Sequence, residues 1–157
     1  MKATSIAVSA VLFGLLAAPS PKALAQDSKS SSKLQVSVSY TGSGSVDDKH
    51  KVYVVLWDSP DFVRGGGSMP VAILPTSAKT GTVTFSSVQK SPAYVSTVFD
   101  SKGEWDGQSG PPPEGSSLGL YSKSPGEPAP IDVKAGETAK VTVTFDDSVK
   151  MPAQGGH

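Results

Sequence analysis

The sequence contains no cysteine and only two histidines among its 157 residues. Without cysteine there is no disulfide framework, no thiolate zinc site and no cysteine nucleophile. With only His50 and His157 available, a Ser-His-Asp triad would have to use His50, which sits in a charged loop. A two-histidine metal site would need the C-terminus to fold back. No Gly-x-Ser-x-Gly elbow, phosphate loop or dinucleotide fingerprint occurs; "GGGSM", 65–69, lacks the second glycine of the elbow. Charge of one sign is also lacking, since 14 basic residues face 14 acidic ones. No basic stripe is present to collect phosphates, so nucleic acid is not an expected partner.

Long apolar runs are missing after the first 18 residues. Before that, Lys2 precedes "IAVSAVLFGLLAA", a 13-residue stretch from Ile6 to Ala18. Pro19 and Pro21 come next, and "ALA" at 23–25 places small residues at −3 and −1. This is the pattern of a cleaved secretory signal. The run is short of the roughly 20 residues a bilayer span needs. The expected mature chain is Gln26–His157, 132 residues, with 12 basic and 14 acidic groups once Lys2 and Lys22 are removed. With no cysteine to carry a lipid anchor, the expectation is a soluble periplasmic or secreted protein without a membrane anchor. Its fold must rest on an apolar core alone.

The polar segment "QDSKSSSK", 26–33, reads as a flexible leader. Beyond it the chain alternates short apolar runs with groups of Gly, Pro, Ser and Asp. "LQVSVSY", 34–40, alternates with a period of two, and "KVYVVLW", 51–57, is continuously apolar and β-branched, as in a central strand covered on both faces. Further strands are expected at "MPVAIL", 69–74, an edge because Pro70 cannot donate, at 80–88, 93–99 and 130–133, and at "TAKVTVTF", 138–145. No segment from 34 onward carries helical spacing over ten residues. Seven short strands with frequent turn signals predict an all-β, seven-stranded antiparallel β-sandwich over 34–147, immunoglobulin-like in type. The expected tail, 148–157, is loosely held.

Between the fifth and sixth expected strands lies a Pro- and Gly-rich loop from 100 to about 129, beginning "FDSKGEWDGQSGPPPEG". Asp100, Glu104 and Asp106 lie within seven residues there. Hard cations such as calcium take six to eight oxygens from compact turns, and Gly103 and Gly107 permit such turns. Against this, Lys102 stands where a further oxygen is wanted, and Pro111 stands where an EF-hand series closes with Glu. The alternative is a solvated turn whose Asp and Gly residues serve backbone geometry. Calcium is thus the only cofactor that the residues suggest. Trp105 either projects as an anchor for a sugar or protein, or folds down to cap the core. Tyr121 and Asp58 stand beside it as ligand-contact candidates. Trp57, ending an apolar strand, is expected in the core. "GPPPEG" either stiffens a binding lip or shields a sheet edge.

The successive motifs "KVYVVLWDSPDF", "VTFSSV", "AYVSTVFDSKGEWD", "GPPPEGSSLGLYS" and "IDVKAGETAKVTVTF" resemble a group of small exported bacterial proteins of unknown function with a prealbumin-like (transthyretin-like) seven-stranded sandwich. The resemblance covers most of 51–145. It departs where the family often has His or Asn near the acidic loop, here Phe99, Lys102 and Glu104, and at "SPAY", 91–94. A related comparison is the non-catalytic regulatory sandwich appended to some exported peptidases. The resemblance implies a fold and an export route, and no activity. The expected function is an exported binding or accessory module using its end loops, chiefly Asp100–Gly115 and secondarily 58–68, to contact an envelope or extracellular protein or a carbohydrate. The alternatives are a calcium-stabilised module and a hydrolase with paired carboxylates drawn from Asp58, Asp61 and Asp106.

Overall fold

The structure is a computed structural model that describes residues 31–65 and 67–153. The signal-like segment 1–25, most of the polar leader 26–33 and the end of the tail with His157 lie outside the described residues. Among the described residues no helix is long and apolar enough to cross a membrane.

Nine strands form among the described residues: β1 (Lys33–Tyr40), β2 (Val52–Trp57), β3 (Ala72–Thr76), β4 (Thr80–Phe85), β5 (Tyr94–Phe99), β6 (Ser117–Leu120), β7 (Ser122–Ser124), β8 (Glu127–Pro128) and β9 (Thr138–Phe145). One 3-10 turn, Pro60–Arg64, is the only helical element among the described residues. A three-stranded sheet has the order β4-β1-β9, a four-stranded sheet the order β3-β2-β5-β6, and β7-β8 is a separate hairpin. The count differs from the seven strands expected, but seven strands do build the two large sheets. All the ladders are antiparallel except β1–β9, which is parallel, with Val36 opposite Val141.

The alternation seen in the sequence has a direct packing consequence. Leu34, Val36, Val38 and Tyr40 of β1 and Val83, Phe85, Val143 and Phe145 of its neighbours point inward. They meet Val52, Val54, Leu56, Val95 and Phe99 of the other sheet. Side chains at alternate positions thus share one dry layer between the sheets. The intervening residues of the three-stranded sheet are polar: Gln35, Ser37, Ser39, Thr82, Thr84, Lys140, Thr142 and Thr144 face outward.

The four-stranded sheet differs, because its outer face is apolar too. Tyr53, Val55 and Val98 form a second cluster there with Trp105, flanked by Trp57, Ile73 and Leu118. This explains the unbroken apolar run of β2: Val52, Val54 and Leu56 serve the inner layer, and Tyr53 and Val55 the outer one.

Three expectations about elements are corrected. The third strand starts at Ala72 rather than Met69, and it is an edge strand that carries Pro75. The segment 130–133 is not a strand; it makes one isolated bridge, Ile131 with Ala93. The long loop is shorter than expected, since β6, β7 and β8 occupy 117–128. The described part of the tail, 148–153, is bonded to the β6 region. The Leu118 N–H donates to the Val149 carbonyl at 2.9 Å, and Met151 N–H donates to the Ser116 carbonyl at 2.8 Å.

Candidate functional site

The Asp100–Gly115 loop folds back over the outer face of the four-stranded sheet. Asp100, at the end of β5, is fully buried. Its Oδ1 accepts from the Lys102 N–H at 3.0 Å and its Oδ2 from the Trp105 N–H at 2.7 Å. This is an Asx-type turn that closes the first part of the loop on itself and satisfies a buried carboxylate. The turn delivers Trp105 to the sheet. Its ring stands edge-on to Tyr53, with centroids 4.8 Å apart at 66°. The Tyr53 hydroxyl donates to the Trp105 carbonyl, and the indole Nε1–H donates to the Gly110 carbonyl at 3.2 Å. Gly107, at φ +80°, lets the chain pass close to the sheet, where a Cβ would meet Ile73 at 3.2 Å and Tyr53 at 3.3 Å. Trp105 is only 8 % exposed. Of the two roles open to it from sequence, the structure places it in packing, and its ring is not presented as a ligand anchor.

The three acidic residues do not converge. Asp100 is committed to backbone N–H groups. Asp106 is exposed and caps the next turn, accepting from Gln108 N–H and Ser109 N–H, each at 2.7 Å, and from the Ser109 hydroxyl at 2.6 Å. The Ser109 hydroxyl and those N–H groups hold its carboxyl down to about 2. Glu104 is exposed. Among the described residues no group of three His, Asp or Glu side chains is placed to hold a metal ion. Asp100 and Asp106 thus have local structural roles, but Asp100 is buried rather than solvated.

Asp58 and Tyr121 lie in different settings. Asp58 follows β2 and pairs with Lys90, Nζ to Oδ2 2.6 Å, a bond that lowers its pKa. Asp61 lies in the 3-10 turn that Ser59 caps, the Ser59 hydroxyl accepting from the Asp61 N–H at 3.2 Å. Tyr121 packs half-buried against the main core, and its backbone bonds Val95 and Ala129. The Nδ1 of His50 lies 2.9 Å from its local partner Asp47.

The segment 58–71 is the contrasting surface. No residue of the 3-10 turn is buried. Phe62 stacks on Trp57, with centroids 4.5 Å apart and planes 6° apart, and the Trp57 Nε1–H donates to the Ser96 hydroxyl at 2.9 Å. Beyond the stack, Val63, Met69 and Val71 are 46 %, 78 % and 49 % exposed, three of the four large apolar side chains exposed among the described residues. Two hollows sharing Leu56 open nearby. One is lined by Trp57, Asp58, Val71 and Lys90, and the other by Ala72, Leu74 and Phe85. Their volumes, about 80 and 230 Å³, fall short of the roughly 300–1,000 Å³ of small-molecule sites.

Sequence reasoning missed one polar centre, Asp147. Its carboxylate accepts from the Tyr40 hydroxyl at 2.6 Å, the Ser117 hydroxyl at 2.6 Å, the Ser43 N–H at 2.9 Å and hydroxyl at 3.0 Å, and Lys150 Nζ at 3.1 Å. Lys150 Nζ also lies 2.9 Å from Ser117 Oγ. A serine next to a lysine can act as a nucleophile–base pair. Here Ser117 is fully buried, donates to a carboxylate, and faces a lysine paired with that carboxylate. The cluster joins the end of β1, β6 and the tail. Nothing local in "TFDDSVK" marks Asp147, because its partners are up to 107 residues away.

Comparison of this chain with protein-family models, with curated proteins and with solved structures finds no match. What the fold and site define is a class: an all-β protein whose two large sheets enclose one core, with a second apolar layer on one outer face.

Proposed function

We propose that the protein is an exported, non-catalytic, prealbumin-like sandwich that binds an extracytoplasmic protein through the 58–71 lip. The signal pattern at 2–25 supports export, and the seven strands divided three and four between facing sheets support the prealbumin-like assignment. The observation that carries the reading is that exposed Val63, Met69 and Val71 fall in the same stretch of chain as Phe62, which stacks on Trp57, and that Val71 lines a hollow with Trp57. Exposed apolar groups gathered next to aromatic anchors, with the Asp58–Lys90 pair at the margin, have the make-up of a protein contact. A carbohydrate platform wants an open aromatic face, and Phe62 already covers Trp57. The Asp100–Gly115 loop then serves as the outer wall of the sheet rather than as the contact.

The test is capture from envelope extract on immobilised protein, comparing wild type with the double variant Met69→Ser, Val71→Ser. Both side chains are exposed, so the variant should melt as wild type does and lose a protein that wild type retains. Identical captured sets would reject the lip as the contact.

A further inference from the structure

Two open sheets present four edge strands, and an unpaired edge invites another strand unless it is guarded. β3 carries Pro75, β4 has Gly81 within its six residues, and β6 is four residues long with the tail bonded along it. β9 has none of these guards. It is eight residues long, contains neither Pro nor Gly, and ends the three-stranded sheet. On its inner side Ala139 and Val141 are only partly buried against the core. Val149, 56 % exposed, lies beside β6, the strand on which β9 packs.

The charges on β9 single out one occupant. Its outward residues are Thr138, Lys140, Thr142 and Thr144, all exposed. Lys140 stands opposite Gln35 of β1 and makes no ion pair among the described residues. Asp146, just past the strand, accepts from the Ser148 N–H at 2.8 Å and likewise meets no cation among the described residues. A two-fold axis through Val143 pairs two copies of β9 antiparallel. Inner residues then meet inner residues, Val141 opposite Phe145. On the outer face Thr142 meets Thr144, and Lys140 meets Asp146 of the second copy, twice by symmetry. A register one residue away would put Lys140 opposite the inward Phe145 or opposite Asp147 and break the face alternation.

We propose that β9 is the seat of a symmetric contact between two copies of this chain, joined by edge-to-edge strand pairing with reciprocal Lys140–Asp146 ion pairs. The contact is isologous and closes at two copies. It covers Ala139 and Val141 and leaves the 58–71 lip free on each copy.

Sedimentation equilibrium of the purified protein tests this. Wild type should show the mass of a dimer, and Lys140→Asp and Asp146→Lys should each show the mass of a monomer. An equimolar mixture of the two variants should return to the dimer mass, because each reversed charge again meets its opposite. A monomeric wild type, dimeric single variants or a monomeric mixture would each overturn the proposal. Should Asp146→Lys unsettle the adjacent Asp147 cluster, Lys140→Asp alone still decides, since it must lose the dimer mass while melting as wild type does.

Discussion

Trp105 shows how one side chain turns a conspicuous loop into a structural layer. Asp100 and Tyr53 each make a contact that holds it against the sheet, and Gly107 lets the chain beside it pass close to Tyr53 and Ile73. Truncating a buried aromatic of this kind removes its transfer free energy and leaves a cavity, about 3–5 kcal/mol in comparable cores. Trp105→Ala should therefore lower the melting temperature strongly, with Tyr53 and Val98 exposed to water. A variant melting within a degree or two of wild type would show that the ring contributes little to folding. The sequence displayed the acids and glycines of this loop but not their partners. Asp100 caps a turn that starts at its own position, which is legible as an Asp with a Gly close behind it. Whether the turn carries Trp105 inward depends on an apolar outer face on β2 and β5, and that becomes visible only when the register aligns Tyr53 with Val98.

Among the elements, the strands most legible in sequence were those with clear alternation or unbroken apolarity: β1, β2, β4, β5 and β9. β6 escaped because its inward positions are Ser117 and Gly119. Gly119 is required there, since a Cβ would meet the Phe145 side chain at 2.5 Å. Ser117 is required by Asp147. An element that makes room for its neighbour's bulk carries no apolar period of its own. The Asp147 cluster then fastens β6 to the ends of β1 and β9, and it gives a pH dependence. Hydrogen bonds from Ser117, then Tyr40 and Ser43, hold the Asp147 carboxyl well below the usual carboxylate range. In the unfolded chain the group titrates near 3.9. Its contribution is thus fully present above about pH 4 and declines as acid protonates the unfolded chain first. Asp47 and Asp106, both held to about 2, act with the same sign between about pH 4 and 2. Wild type should lose melting temperature steadily below about pH 4. Asp147→Asn should start lower at neutral pH and fall less steeply in acid. Parallel acid profiles for the two proteins would remove Asp147 from this role.

At the scale of the molecule, the protein is built asymmetrically around its four-stranded sheet. One face of that sheet meets the three-stranded sheet, and the other carries Trp105 of the 100–115 loop, with Phe62 of the 3-10 turn stacked on Trp57 at the margin. The second apolar layer is not independent, because β2 and β5 contribute to both: Val54 and Val95 point one way, and Val55 and Val98 the other. Loss of either layer would expose apolar surface on strands that the other layer requires. The two should therefore unfold as one unit, as small single domains generally do. Both tryptophans belong to the outer layer, Trp105 within the cluster and Trp57 against its margin. Tryptophan fluorescence thus reports that layer, while far-UV dichroism reports the sheets. Followed together on heating, the two signals should trace the same transition with one midpoint. A fluorescence change that precedes the loss of sheet would mean that the loop is a detachable cover, and the 100–115 segment would then regain a claim to be the contact surface in place of the lip.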